Sequence, residues 1–185
     1  RNDEFVLPEK TKISPEIAIS GTNPNYASGK EYQTNCQRCV PTYEMRRRGY
    51  DVEALGNFDK NFGNLVNIQK MWESGDQDMY LNFRLNKDTR KFENLNISLF
   101  KEYLKNIEPG ERHQIGWVWR GREGHTIIVE NVKGSLKFID PQTSKIRNLK
   151  QFQDWTSRAE GMFWGLRIDD REISQDMLKL IMKGK

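Results

Sequence analysis

Three short stretches hold the residues whose types and spacing could do chemistry: Asn35-Cys36-Gln37-Arg38-Cys39, Gly124-His125 and Asp140-Pro141-Gln142. A thiolate is a strong nucleophile, and the free N–H groups at a helix N-terminus favour its negative charge. The same groups can hold the oxyanion that forms when a carbonyl is attacked. A histidine must then accept and return a proton, and a carboxylate fixes its tautomer. Cys36, His125 and Asp140 therefore read as nucleophile, general base and orienting acid. Taken singly each has an ordinary explanation: a hydrogen-bonded surface histidine, a turn-forming aspartate before proline, a buried structural thiol. Only the combination outweighs those readings.

Position requires elements. A helix is expected from the cysteines to Arg48, because Glu44 and Arg48 make an i,i+4 pair and Gly49 stands where a helix stop takes a left-handed residue. Residues 114–120, 125–132 and 135–140 are rich in β-branched and aromatic types and read as strands. Val132-Lys133-Gly134 is a natural hairpin connection, so the last two strands should pair antiparallel and bring His125 beside Asp140. Further strands are expected at 50–55, 79–85 and 162–168. Further helices are expected at 64–72, at 98–107 with Ser98 as N-cap, at 148–159, and from a Ser174 cap to 182. Residues 1–30 carry Pro8, Pro15 and Pro24 with few regular signals, and read as an extended arm or linker on a domain spanning 31–185. Helices first and a mostly antiparallel sheet afterwards indicate α+β.

The run Asn35-Cys36-Gln37-Arg38-Cys39-Val40-Pro41-Thr42-Tyr43-Glu44-Met45-Arg46-Arg47-Arg48-Gly49-Tyr50-Asp51-Val52-Glu53-Ala54 resembles the papain-fold toxin domains predicted to be protein glutamine deamidases. Gly124-His125, Val129-Glu130-Asn131-Val132 and Phe138-Ile139-Asp140-Pro141-Gln142-Thr143 resemble the second half of that family. The likeness covers residues 23–170, with 58–111 contributing little. It implies a papain-like fold whose nucleophile helix packs on the sheet, and a Cys/His/Asp triad. The spacing of 15 from His125 to Asp140 matches what related deamidase effectors lead one to expect. It also implies delivery as the C-terminal part of a longer bacterial or phage-borne toxin, secreted and acting in the cytoplasm of a target cell. The partners would be a target protein as substrate and a cognate immunity protein, with the toxin itself a monomer. In the implied reaction a thioester forms with a glutamine side chain, ammonia leaves, and water releases glutamate. A papain-like protease cutting a backbone amide would use the same thiolate. More distant alternatives are a Cys-x-x-Cys redox protein and a non-catalytic binding module.

Two registers of the nucleophile stay open. With Asn35 as N-cap, Cys36 takes the first helical position, but Pro41 then lies past the first turn, at a cost of about 3 kcal/mol. Starting the helix at Cys39 removes that cost and places Gln33 six residues before the nucleophile, the papain-like position of an oxyanion-stabilising glutamine. Cys36 is the favoured nucleophile. Gln142 either helps hold the histidine or serves a turn.

Composition bounds the rest. The 185 residues can bury a core, and the formal charge of +4 is spread among interleaved acids and bases. Arg46-Arg47-Arg48 is the only dense basic cluster and has no stripe of aromatics with it, so no nucleic-acid partner is expected. No apolar run approaches the ~18 residues of a membrane span. No signal peptide opens the chain, and a start at Arg1 reads as a piece of something longer. Two cysteines make no disulfide framework. A zinc site would need a second ligand pair, which His113 and His125 do not offer, and a redox motif would follow a strand of a βαβ unit. No metal or cofactor is therefore expected. Trp117, Trp119, Phe138 and Trp164 read as core.

Overall fold

In the computed structural model, which describes residues 7–9, 11–121 and 123–185, helices come first and a mostly antiparallel sheet follows, an α+β arrangement. Helix α1 (Pro15–Thr22) starts at Ser14, whose hydroxyl accepts from the Ile17 N–H, with Pro15 where a missing N–H does no harm. Over Pro15–Thr22 the stretch expected as an extended arm is therefore helical, and Ala18 and Ile19 of α1 are buried in the main core; residues 1–6 and 10 of that arm lie outside the described residues. The prolines that suggested an extended chain instead bracket a helix. Two 3-10 turns, Tyr26–Ser28 and Lys30–Tyr32, lead to α2 (Cys36–Arg47). Gly49 ends it with φ of 106°, as the helix stop required.

After β1 (Val52–Ala54) come α3 (Leu65–Met71) and the single turn α4 (Gly75–Asp78). The strand expected over 79–85 is divided at Asn82 into β2 (Tyr80–Leu81) and β3 (Phe83–Asn86), the latter in a hairpin with β4 (Lys91–Asn94). Helix α5 (Ile97–Lys105) is capped by Asn96, whose side chain accepts from the Ser98 N–H, so Ser98 lies inside the helix and is not its cap. Then follow β5 (Arg112–Trp119), β6 (Gly124–Val132), β7 (Ser135–Asp140), β8 (Lys145–Arg147), α6 (Leu149–Thr156), β9 (Ala159–Arg167), α7 (Gln175–Ile181) and β10 (Met182–Gly184). Between β6 and β7, Lys133 and Gly134 have φ of 52° and 94°, the left-handed pair that a two-residue hairpin turn demands. Asn148 and Gln151 form a reciprocal capping box on α6. Ser174 precedes α7, but its side chain makes no capping bond.

The main sheet has strand order β2-β9-β5-β6-β7-β8, every neighbour antiparallel. Ile128 and Ile139 point to one face, where they pack with Val40, Tyr43 and Met45 of α2 and Leu178 and Ile181 of α7. Ile127, Val129 and Phe138 point to the other, against Phe100 and Leu104 of α5 and Phe152 of α6. A sheet covered on both faces explains why Ile127-Ile128-Val129 shows no polar alternation. Among the described residues no helix is long and apolar enough to cross a membrane.

Helix α2 is buried on nearly all sides, so its charges must be met internally. Glu44, with no exposed surface, accepts from Arg48 at 2.8 Å and from Arg112 of β5 at 2.6 and 2.8 Å. Arg47 pairs with Glu130 of β6, and Arg46 donates to the carbonyls of Ala18 and Val52. The dense basic cluster is thus an internal brace: Arg46 ties α2 to α1 and β1, Arg47 ties it to β6, and Arg48 shares Glu44 with Arg112 of β5. Removing Glu44 would leave buried guanidinium charge uncompensated, a loss on the order of 3–5 kcal/mol.

Candidate active site

Cys36 opens α2, and the Asn35 carbonyl accepts the first helical bonds, from the N–H groups of Arg38 and Cys39 at 2.9 and 3.0 Å. The Asn35 side chain does not cap. It donates to Asn23 Oδ1 and to the Leu55 carbonyl, both at 3.0 Å. The N–H groups of Cys36 and Gln37 consequently have no acceptor within the helix, at the floor of a cleft that both residues line. Pro41 lies inside α2 and leaves the Gln37 carbonyl without its helical donor.

The two strands that carry His125 and Asp140 part company near the cleft. The β6–β7 ladder ends at Ile128 and Ile139; beyond it β6 runs on against β5, with His125 opposite Trp117, and β7 against β8, with Asp140 opposite Lys145. Continuing the register sets Asp140 across from Ile127, so His125 and Asp140 are diagonal neighbours on one face. His125 Nε2 and Asp140 Oδ2 are 3.1 Å apart. The second carboxylate oxygen accepts from the Gln142 N–H at 3.2 Å. The start of α2 approaches from the opposite face and meets His125 at this opening, where Cys36 and His125 line one cleft and the sulfur acts on the ring's protonation. With Nε2 turned to Asp140, Nδ1 is the nitrogen left for the sulfur.

Electrostatics favour a charged histidine. Burial alone would lower the His125 pKa, but the hydrogen bonds and charges of Asp140 and Cys36 overcome it and push it up to about 10. Burial likewise works against the Asp140 carboxylate, yet His125, Thr143 and Arg147 hold its pKa below the usual carboxylate range. Trp117 and Trp155 wall the imidazole, each with ring centroids 5.6 Å away and near-perpendicular planes. Arg147 lies 3.6 Å over the Trp155 ring. Cys39 has no exposed surface, and burial, with the charges of Cys36 and Asp140 added, pushes its thiol well above the ordinary range. Of the two cysteines, only Cys36 reaches the cleft.

That cleft has a volume of about 920 Å³, and its wall is polar, including Gln33, Gln37, Asn57, Asn64 and Gln142. Gln33 is exposed at its rim, three residues before Cys36, and donates to the Tyr26 carbonyl at 3.1 Å. Gln142 serves the turn through its backbone and offers its side chain to the cleft. Sequence reasoning missed Asn23, which fell in the stretch read as an extended arm or linker. Its amide donates to the carbonyls of Tyr32 at 2.9 Å and Gln142 at 3.0 Å and accepts from Asn35. One buried side chain thereby ties the end of α1, the approach to Cys36 and the loop after Asp140. Trp155 and Arg147 were also missed. The signal for Arg147 was a cation on the strand returning from Asp140; Trp155 had none.

His113 belongs elsewhere, 2.6 Å from the Tyr103 hydroxyl through Nδ1 and 2.9 Å from Glu111 through Nε2. Among the described residues no three His, Cys, Asp or Glu side chains converge as metal ligands would. Neither a protein-family model nor a curated protein matches the chain.

Proposed function

We propose that the chain is a papain-like cysteine amidohydrolase that deamidates a glutamine side chain of a target protein. The observation that carries the proposal is the meeting of Cys36 and His125 on one polar cleft, with Asp140 buried behind the ring and hydrogen-bonded to it. The thiolate of Cys36 attacks the carboxamide carbon while His125 keeps the proton. The tetrahedral oxyanion lies against the free N–H groups of the first turn of α2. His125 then protonates the departing nitrogen, which leaves as ammonia, and the acyl group stays on sulfur as a thioester. Water attacks that thioester with His125 as base, releasing glutamate and the thiol. Asp140 stabilises the imidazolium and holds Nδ1 toward sulfur throughout. Five carboxamide side chains on the cleft wall supply hydrogen-bond partners to a polar side chain and its backbone. The resemblance to papain-fold toxin domains supports the same reading and extends it to a toxin acting in the cytoplasm of a target cell.

The test is intact-mass analysis of glutamine-bearing proteins incubated with wild-type protein and with Cys36→Ser. Deamidation exchanges an amide nitrogen for oxygen, releases ammonia and leaves the backbone whole. Fragments would show backbone hydrolysis instead, and no change with any protein would count against the hydrolase reading.

A further inference from the structure

Arginine in this molecule is mostly engaged: Arg46, Arg47, Arg48, Arg84, Arg112 and Arg171 all pair with carboxylates. Arg120 and Arg158 are different. Both are exposed, and among the described residues neither has a carboxylate partner. They flank a second cleft, of about 910 Å³, completed by Trp119, Trp155, Asp154 and Ser157. The two indoles, both half-buried, have centroids 5.5 Å apart. Asp154 is already met by Lys150 at 3.2 Å, so the free charge of this cleft is positive.

The cleft adjoins the catalytic one. Trp155 contacts His125, and the turn between β5 and β6 is the wall between them. Its Trp119 N–H donates to the Glu123 carbonyl at 3.3 Å, with Trp119 and Arg120 on one side and Glu123, Gly124 and His125 lining the catalytic cleft on the other. We propose that the Trp119–Arg158 cleft docks an acidic segment of the protein substrate next to the glutamine presented to Cys36, an inference that rests on the hydrolase reading. Guanidinium forks pair with carboxylates two bonds at a time, and tryptophan and arginine are the residues that most often dominate binding energy at interfaces. Partner charge set beside a reaction centre raises both encounter rate and selectivity. A nucleic-acid strand fits less well, because Asp154 stands among the lining residues and two isolated guanidiniums make no continuous track for phosphates.

The proposal is tested with Cys36→Ala protein, which binds without turnover, and fluorescent synthetic peptides holding one glutamine beside a run of glutamates or a run of lysines. The acidic peptide should bind at least about 10-fold more tightly, and the preference should shrink as salt rises. Added Arg120→Glu and Arg158→Glu should erase it while the thermal unfolding profile stays unchanged. Arg120→Gln with Arg158→Gln keeps the test if charge reversal unfolds the protein. Equal binding of the two peptides, or a preference that survives loss of both arginines, overturns the proposal. So does tighter binding of a fluorescent oligothymidylate than of the acidic peptide. Wild-type protein separates the two readings. Docking of the acidic peptide through these arginines without hydrolysis of any amide would refute the hydrolase and leave the docking surface. Deamidation indifferent to the flanking charge would do the reverse.

Discussion

Asn23→Ala should both destabilise the protein and slow the chemistry of Cys36, although Asn23 touches no reacting atom. The side chain is 5% exposed and makes three bonds of 2.9–3.0 Å: to the Tyr32 carbonyl, to the Gln142 carbonyl and from the Asn35 amide. At about 1 kcal/mol net for each, their loss amounts to about 3 kcal/mol, and buried partners left unpaired would raise that figure. Asn35 keeps its bond to the Leu55 carbonyl, so the start of α2 loosens without detaching. The loop after β7 loses its tie to α1, and with it the anchor of the Gln142 N–H that orients Asp140. Urea unfolding gives the stability change, and iodoacetamide labelling of Cys36 near neutral pH in the folded protein gives the functional one. A labelling rate several-fold below wild type is expected. Asn23→Asp keeps the shape and acceptor but loses both donations, and should be no better than alanine. A loss under about 1 kcal/mol with Cys36 labelled at the wild-type rate would refute the positioning role.

Three further outcomes follow from the same geometry. Iodoacetamide should label Cys36 first and leave Cys39 protected until unfolding; Cys39→Ala should keep much of the activity that Cys36→Ser abolishes, and labelling in the opposite order would reverse the assignment of the nucleophile. Asp140→Ala should lower kcat by at least ~10²-fold in a folded protein, since the imidazole loses both its orientation and its counter-charge; a near-normal rate would sink the triad. The His125 pKa is raised from an unfolded value near 6.5 to about 10. Its contribution to stability is therefore complete below about pH 6.5 and is lost as pH rises through about 10. Stability measured by urea unfolding should decline across that window, His125→Ala should remove this component of the decline, and Cys36→Ser should reduce it, because the neighbouring Cys36 sulfur is one source of the shift.

Local signals made the second half of the chain legible. The Lys133-Gly134 turn fixes the register of β6 and β7, and continuing that register past the end of the ladder makes His125 and Asp140 diagonal neighbours, close enough for their side chains to meet. Elements whose form depends on distant contacts were not legible. The strand expected over 79–85 breaks at Asn82 because its N–H is claimed by the Phe163 carbonyl of β9 and its carbonyl by the Leu95 N–H. The arm over 1–30 misled because helix α1 is short and its stability comes from burying Ala18 and Ile19 rather than from propensity. Asn23 was beyond reach for the same reason: the carbonyl it holds belongs to Gln142, 119 residues further along the chain.

The choice between Cys36 and Cys39 shows where local reasoning stops. Judged by the chain alone, Pro41 weighs about 3 kcal/mol against a helix that starts at Cys36. The helix starts there nonetheless. Val40, Tyr43 and Met45 are 0–2% exposed, and burying each large apolar side chain contributes about 1.5–3 kcal/mol. The packing of α2 against the sheet thus outweighs the local cost of its proline. Paired charges at Glu44 and Arg47 set its rotation, and that rotation sends Cys39 into the core and Cys36 to the cleft. The term that decides which cysteine faces the cleft is tertiary, and it acts through residues up to three turns further along the helix.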